Sequence, residues 1–299
     1  MNHLKDPSPP DVSARIARLF VYPIKSCAGI ELAEARLQAT GIEHDRAFML
    51  VDAAGEFVSQ RELPRMALIR PRFEGDALVV SAPGKEPLCV PLAAGGAKVQ
   101  VRVWDDSASA FDLGDAAARW FSSFLADCAP PSLKVLRLVR FDAGAQRLSS
   151  RRWTGEIPAP IQFADGFPML ALSQASLDGL NDRLASGGHA AVGIERFRPS
   201  LVLDNIEAHD EDRLDVLRVD ADGGTVQLKT VKPCIRCPIP NIDPATAESD
   251  PAVSDALQAY RRDDAMNGAV TFGMNAVVLA GAGGRLRVGQ TVSANWRFD

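Results

Sequence analysis

The chain has 299 residues, long enough for two domains, and its 46% hydrophobic content can bury substantial cores. A net charge of −5 gives no global attraction to nucleic acid or anionic lipid, so neither is expected as a partner. Five scattered cysteines, an odd number in a long chain, do not read as a disulfide framework and fit a reducing compartment. No apolar run of 18 residues occurs, and residues 1–14 carry neither a secretory apolar core nor an Arg-rich amphipathic pattern, which predicts a cytoplasmic protein away from membranes.

Residues 1–14 open with prolines and polar residues and predict a disordered leader. Short β-prone runs follow at 18–22, 48–51, 78–80 and 99–103, separated by turn signals such as Asp52-Ala-Ala-Gly55 and Pro83-Gly84. Such spacing predicts a barrel or compact sheet. Residues 115–127 form the first helix, with Ala116, Trp120, Phe121, Phe124 and Leu125 on one apolar stripe. A segment rich in Arg, Pro and Gly runs over 147–166, including Arg147, Arg151, Arg152 and Trp153. It reads as a solvated connection whose positive charge is suited to drawing in an anion. The domain boundary falls before it, giving a first domain over 15–140 and a second over 141–299. Ser173 is placed to cap a helix running to Leu184 and ending near Gly187-Gly188. Strands resume at 201–203, 216–219, 226–231, 270–279 and 286–288, with a last short helix over 254–261. The fold class is α+β, mostly β.

The segment Val231-Lys-Pro-Cys-Ile-Arg-Cys-Pro-Ile-Pro-Asn-Ile-Asp-Pro244 carries the densest chemistry. Pro238, Pro240 and Pro244 lack an N–H and disfavour the helical region for the residue before each, so no ordinary helix follows Cys237. A thioredoxin-like pair would need that helix. A structural zinc site would need four ligands, and Cys27, Cys89 and Cys128 are widely spaced, with no His within twenty residues of Cys234. Four readings remain open on spacing alone: a zinc site or a dithiol redox switch, each without its required context, buried small residues, and one thiolate that binds a soft metal carried by a cofactor. His3, His44, His189 and His209 suit surface or packing roles. The chain has no Gly-x-Ser-x-Gly elbow and no Walker or Rossmann glycine loop.

Lys232-Pro-Cys-Ile-Arg-Cys237 followed by Ile242-Asp-Pro244 resembles the cysteine loop of the MOSC family, the molybdenum cofactor sulfurase C-terminal domain. Tyr22-Pro-Ile-Lys-Ser-Cys-Ala-Gly29, and Asp45-Arg46 followed by Phe48, resemble the β-barrel module that precedes such domains. Leu172-Ser-Gln-Ala-Ser-Leu-Asp-Gly-Leu-Asn181 and Phe197-Arg-Pro-Ser200 are similar to two further MOSC segments. In layout the chain resembles bacterial relatives of the mitochondrial amidoxime-reducing component. The resemblance implies an N-terminal β-barrel module plus a C-terminal MOSC β-barrel with a few packed helices.

It also implies a site. Cys237 would be the catalytic metal ligand for a molybdenum cofactor (Mo-molybdopterin), since coordination deprotonates a thiol without a neighbouring base. Lys25, Ser26, Arg46 and Arg198 match the positions that hold the pterin phosphate, an anion served by charge-assisted donors. Asp165 and Asn275 would meet the pterin edges, and Arg236 would orient the loop or meet the cofactor. Ser200 stands where the family usually has Asn, which loses the paired donor and acceptor of an amide. The implied activity is an oxidoreductase that removes oxygen from the N–O bond of small N-hydroxylated compounds. No plant-type iron–sulfur cysteine set and no dinucleotide fingerprint occurs in these residues. A separate ferredoxin, flavoprotein or haem protein is therefore expected to supply electrons. The alternatives are a non-enzymatic cofactor carrier and a sulfur-handling protein with a Cys237 persulfide.

Overall fold

A computed structural model describes residues 9–297. Seven strands close a barrel: β1 (Val12–Val21), β2 (Met169–Ser173), β3 (Leu201–Asp204), β4 (Val216–Ala221), β5 (Gly224–Ile235), β6 (Ala269–Ala280) and β7 (Thr291–Ala294). Their hydrogen-bonded order is β2-β3-β1-β7-β4-β5-β6, and β6 pairs back to β2 through Leu170 and Asn275. Only β2 and β3 run parallel, which requires the crossover that helix α2 (Gln174–Ser186) supplies. Ser173 caps that helix as expected, its hydroxyl accepting from the Ser176 N–H at 3.0 Å.

The first strand corrects two expectations. β1 begins at Val12, inside the expected leader of residues 1–14; residues 1–8 lie outside the described residues. It is also a central barrel strand, paired with β3 on one side and β7 on the other, so it crosses the expected division at residue 140. Its apolar pattern explains both. Val12, Ala14 and Ile16 face the core on even positions, a bulge between Ile16 and Arg18 shifts the parity, and Leu19 and Val21 continue inward on odd positions. Removing β1 would leave β3 and β7 as raw edges along the barrel core. A fragment over 141–299 is therefore expected to lack a cooperative thermal transition by near-UV circular dichroism. A fragment that melts cooperatively alone would show that β1 is dispensable.

The N-terminal module has a four-stranded sheet, ordered Phe48–Val51, Arg137–Phe141, Asp106–Asp112, Ala97–Val103, and a three-stranded meander, Arg70–Glu74, Ala77–Ser81, Leu88–Pro91. Helix α1 (Gly114–Leu125) contributes Trp120, Phe121, Phe124 and Leu125 to the core shared with Phe48, Leu50, Leu78 and Val80. Ala116 is exposed, contrary to the expected stripe; Ala117 and Ala118 take the inner positions, three to four residues before Phe121. Helix α3 (Ala252–Tyr260) packs beside α2 outside the barrel, where Val253 and Leu257 meet Leu177, Leu180 and Leu184.

The segment 147–166 is more ordered than its composition suggests. Arg147–Leu148 pairs with Pro160–Ile161, and Arg151–Thr154 makes one helical turn. Arg147 is buried and spent on structure: it pairs with Asp106 at 2.8 Å and donates to the Ala164 carbonyl at 3.1 Å. Among the described residues no helix is long and apolar enough to cross a membrane.

Candidate functional site

Three backbone segments turn sharply to bring cations to one place. The chain leaves β1 at Tyr22, and Ser26 adopts φ 65°. Arg46 adopts φ 48°, with its N–H donating to the Tyr22 carbonyl at 2.8 Å. Arg198 closes the short helical turn Ile194–Phe197 at φ 58°. A non-glycine residue at positive φ is uncommon and costs free energy, so it marks backbone held by its surroundings. All three line one cleft.

The cleft walls carry Lys25, Arg46, Arg61, Arg198 and Arg236 against a single acid, Asp165. Arg46 and Arg198 both lie against the buried Tyr22 ring, 4.5 and 4.2 Å from its centroid. Burial, then the neighbouring Arg46, pulls the Arg198 guanidinium down to about 10, which still leaves it charged at neutral pH. Burial would lower Arg46 too, but the buried Asp45 carboxylate outweighs that and holds it above its ordinary value. One Arg198 nitrogen donates to the Cys27 carbonyl at 2.6 Å, while Nη2 is buried without a partner; Nε of Arg236 is likewise without one. Two orphaned cationic donors leave this cleft short of acceptors, the deficiency an anionic ligand fills.

Lys25 is buried, and burial lowers its ammonium despite the Asp165 carboxylate paired with it. It also donates to the Phe163 carbonyl at 2.9 Å. Burial pushes Asp165 upward, but Lys25 and the Trp104 indole N–H, 3.0 Å away, outweigh it and hold the carboxyl well below its usual range. Asp165 nonetheless opens to water at the cleft mouth, its side chain 62% exposed.

Strand β5 carries Cys234 to the cleft, and the chain then turns through Arg236 and Cys237 into a single short turn, Ile239–Asn241, as the prolines require. Both thiols are free, half-buried and cleft-lining. Arg236 donates to Cys234 Sγ at 3.0 Å and to the Phe197 carbonyl at 3.0 Å, which ties the loop to the Arg198 turn. Arg196 secures it from below through Asp243 at 2.9 Å. Among the described residues no three His, Cys, Asp or Glu side chains converge on a point that could hold a metal ion. A metal here would need ligands from outside the chain.

Lys25, Ser26, Arg46, Asp165, Arg198, Arg236, Cys237 and Asn275 thus line one cleft. Ser200 does not. It is buried behind the wall, its hydroxyl 3.4 Å from the Leu170 N–H and its own N–H donating to the Leu170 carbonyl at 2.8 Å. Serine here holds β3 to β2. Two participants escaped the sequence reading: Arg61, which lines the cleft, and Trp104, whose ring Arg61 covers at 4.6 Å. Neither lies in a recurring motif, and only the hairpin fold brings Trp104 to Asp165.

The molecule is therefore a two-module β protein with a cationic cleft, bearing a thiol, where its modules meet. Residues 13–128 match the MOSC N-terminal beta barrel domain and residues 158–293 match the MOSC domain. The chain belongs to the MOSC family in this two-domain form. It is 33% identical over 258 residues to mitochondrial amidoxime-reducing component 1 of Mus musculus, covering 83% of this chain and 72% of that one. Identity to the Homo sapiens component 1 is 32% over 261 residues, with the same coverage. A molybdenum cofactor sulfurase of Bos taurus is 26% identical over 259 residues, 82% of this chain but 29% of that one.

Proposed function

We propose that the cleft binds the molybdenum cofactor, with Cys237 as its thiolate ligand, and that the protein reduces small N-hydroxylated compounds using electrons from a separate redox protein. The observation that carries this reading is the meeting, in one cleft, of a free half-buried thiol with five cations, two of which hold orphaned N–H donors. The names of the relatives, an amidoxime-reducing component and a molybdenum cofactor sulfurase, support the substrate class and the cofactor.

When bound, the cofactor supplies the two-electron chemistry that removes oxygen from an N–O bond. The chain supplies position and electrostatics. Lys25, Arg46 and Arg198 bind the phosphate, and Tyr22 backs the two guanidiniums. Arg236 and Arg196 hold the cysteine loop in place, and Cys237 would be the residue that ligates the metal. The net conversion of an amidoxime takes two electrons and two protons and releases an amidine and water. Cofactor-loaded protein is expected to turn over amidoximes with dithionite or reduced viologen and not with NADH alone. Cofactor-loaded protein that is inert with every reductant, yet passes its cofactor to an apo-acceptor, would favour the carrier reading.

A further inference from the structure

We infer that the cationic face gathered around Trp153, beside the cysteine loop, docks the redox partner, and that this partner is a small acidic one-electron carrier protein of the [2Fe–2S] ferredoxin type. This deepens the function proposed above and rests on it.

Of the arginines in segment 147–166, Arg147 is spent inside the fold, but Arg151 and Arg152 are exposed on the helical turn Arg151–Thr154. That turn packs on β5, where the Trp153 ring gathers cations: the Lys232 ammonium and the Arg152 guanidinium each lie 5.3 Å from its centroid. Trp153 also shares an open hollow with Lys229, Arg297 and Asp215. Lys229 and Arg297 both approach Asp215, at 2.8 and 3.9 Å, so the acid of that hollow is already taken. Among the described residues Arg151, Arg152 and Lys232 have no carboxylate partner, and Glu156, exposed further along the segment, pairs with none of them. The result is a local excess of positive charge on a chain of net charge −5. An acidic surface answers such an excess and is steered toward it over a distance.

This face adjoins the cleft. Lys232 precedes Pro233 and Cys234 on β5, and its carbonyl accepts from Asn275 Nδ2, in the cleft wall, at 3.3 Å. Ile235, three residues beyond Lys232, is 46% exposed. A carrier seated on Trp153 and Lys232 is thus set beside the cysteine loop. Each amidoxime takes two electrons, so two reduced carriers dock and leave in turn, each oxidised by one electron. Rapid exchange calls for a small contact, and electron-transfer encounters sit at the low end of interface size. Charge raises the encounter rate more than it tightens the complex, which suits that exchange. An aromatic centre with arginines beside it is also the composition that protein contacts favour.

The test compares the full-length wild type with Arg151→Glu/Arg152→Glu, with Lys232→Glu and, as a control for net charge, with Arg119→Glu on the exposed side of α1. The probe is a plant-type [2Fe–2S] ferredoxin. Its oxidised form is titrated into each apo-protein by calorimetry. Its reduced form, regenerated by its own reductase, drives benzamidoxime turnover by cofactor-loaded protein, with dithionite as the small reductant for comparison. At low ionic strength the double variant should lose about tenfold in ferredoxin binding and in ferredoxin-driven kcat/KM, and Lys232→Glu somewhat less. The gap should narrow as salt shortens the screening length. Arg119→Glu should match the wild type, and dithionite-driven turnover and molybdenum content should be unchanged in every variant.

Ferredoxin binding that is unchanged in both the double variant and Lys232→Glu would overturn the face. So would an equal loss in Arg119→Glu, or a wild type that does not bind the ferredoxin at low ionic strength. Capture of phosphatidylserine vesicles that the double variant loses, while all the proteins bind ferredoxin alike, would make this a lipid-binding face instead. If loaded wild type turns over no amidoxime with dithionite, the proposed reaction fails, and the calorimetry still decides the face.

Discussion

Cys237→Ser is expected to lower molybdenum-dependent turnover by at least about a thousandfold while the apo-protein folds as before. A serine hydroxyl is a hard, neutral oxygen at this pH and replaces a soft thiolate poorly. The fold has little at stake, because Cys237 is half-buried in a loop that other residues secure. A substitution at such a site changes stability by about 0.5 kcal/mol or less. Cys234→Ser should be milder in activity, although it weakens the contact from Arg236 at 3.0 Å. Thermal melts of the apo-proteins and turnover with dithionite check both halves. Equal losses in the two variants, with metal retained in each, would move the ligand away from Cys237.

Arg198→Met is expected to separate binding from stability. The guanidinium is held in a confined site beside Arg46, one nitrogen unpartnered, with its charged form disfavoured by burial. Truncating it loses one hydrogen bond, to the Cys27 carbonyl, and its contact with the Tyr22 ring. It also removes a like-charge neighbour from Arg46. These opposing changes should leave the unfolding free energy of the apo-protein, from urea titration, within about 1 kcal/mol of wild type. The anion loses a charge-assisted donor of ~1.5–3 kcal/mol, so cofactor affinity should fall about ten- to a hundredfold. Methionine is the informative replacement because it keeps apolar bulk against Tyr22. Wild-type cofactor retention in the variant would remove Arg198 from the anion site; collapse of the apo fold would make it structural.

Much of this site was legible because its residues fall in short linear motifs. Lys25 and Ser26, Asp45 and Arg46, Phe197 and Arg198, and the cysteine loop each carry their own context, and the fold needed only to bring four turns together. The prolines alone excluded a helix after Cys237, and one short turn is all that follows. Ser200 shows the limit of motif register. It adjoins Arg198-Pro199, yet β3 begins at Leu201 and draws the serine into the sheet behind the wall. Trp104 shows the converse. Its strand pattern ended at Val103, and nothing local says that a hairpin tip from the first module reaches Asp165 in the second.

The fold was read in the same uneven way. Strand and helix positions follow local apolar periodicity, which the sequence displays directly. The division between modules does not, because β1 is adjacent in sequence to one module and hydrogen-bonded into the other. Only the parity change around Ala17 hinted at a bulged strand within a curved barrel.

The most direct test of the central claim is the molybdenum and pterin content of the protein purified from cells that make the cofactor, measured beside Cys237→Ser. The expected result is close to one molybdenum and one pterin per wild-type chain, with molybdenum largely lost from the variant. Wild-type protein carrying neither, or the variant matching it in molybdenum, would contradict a cofactor held in this cleft through Cys237.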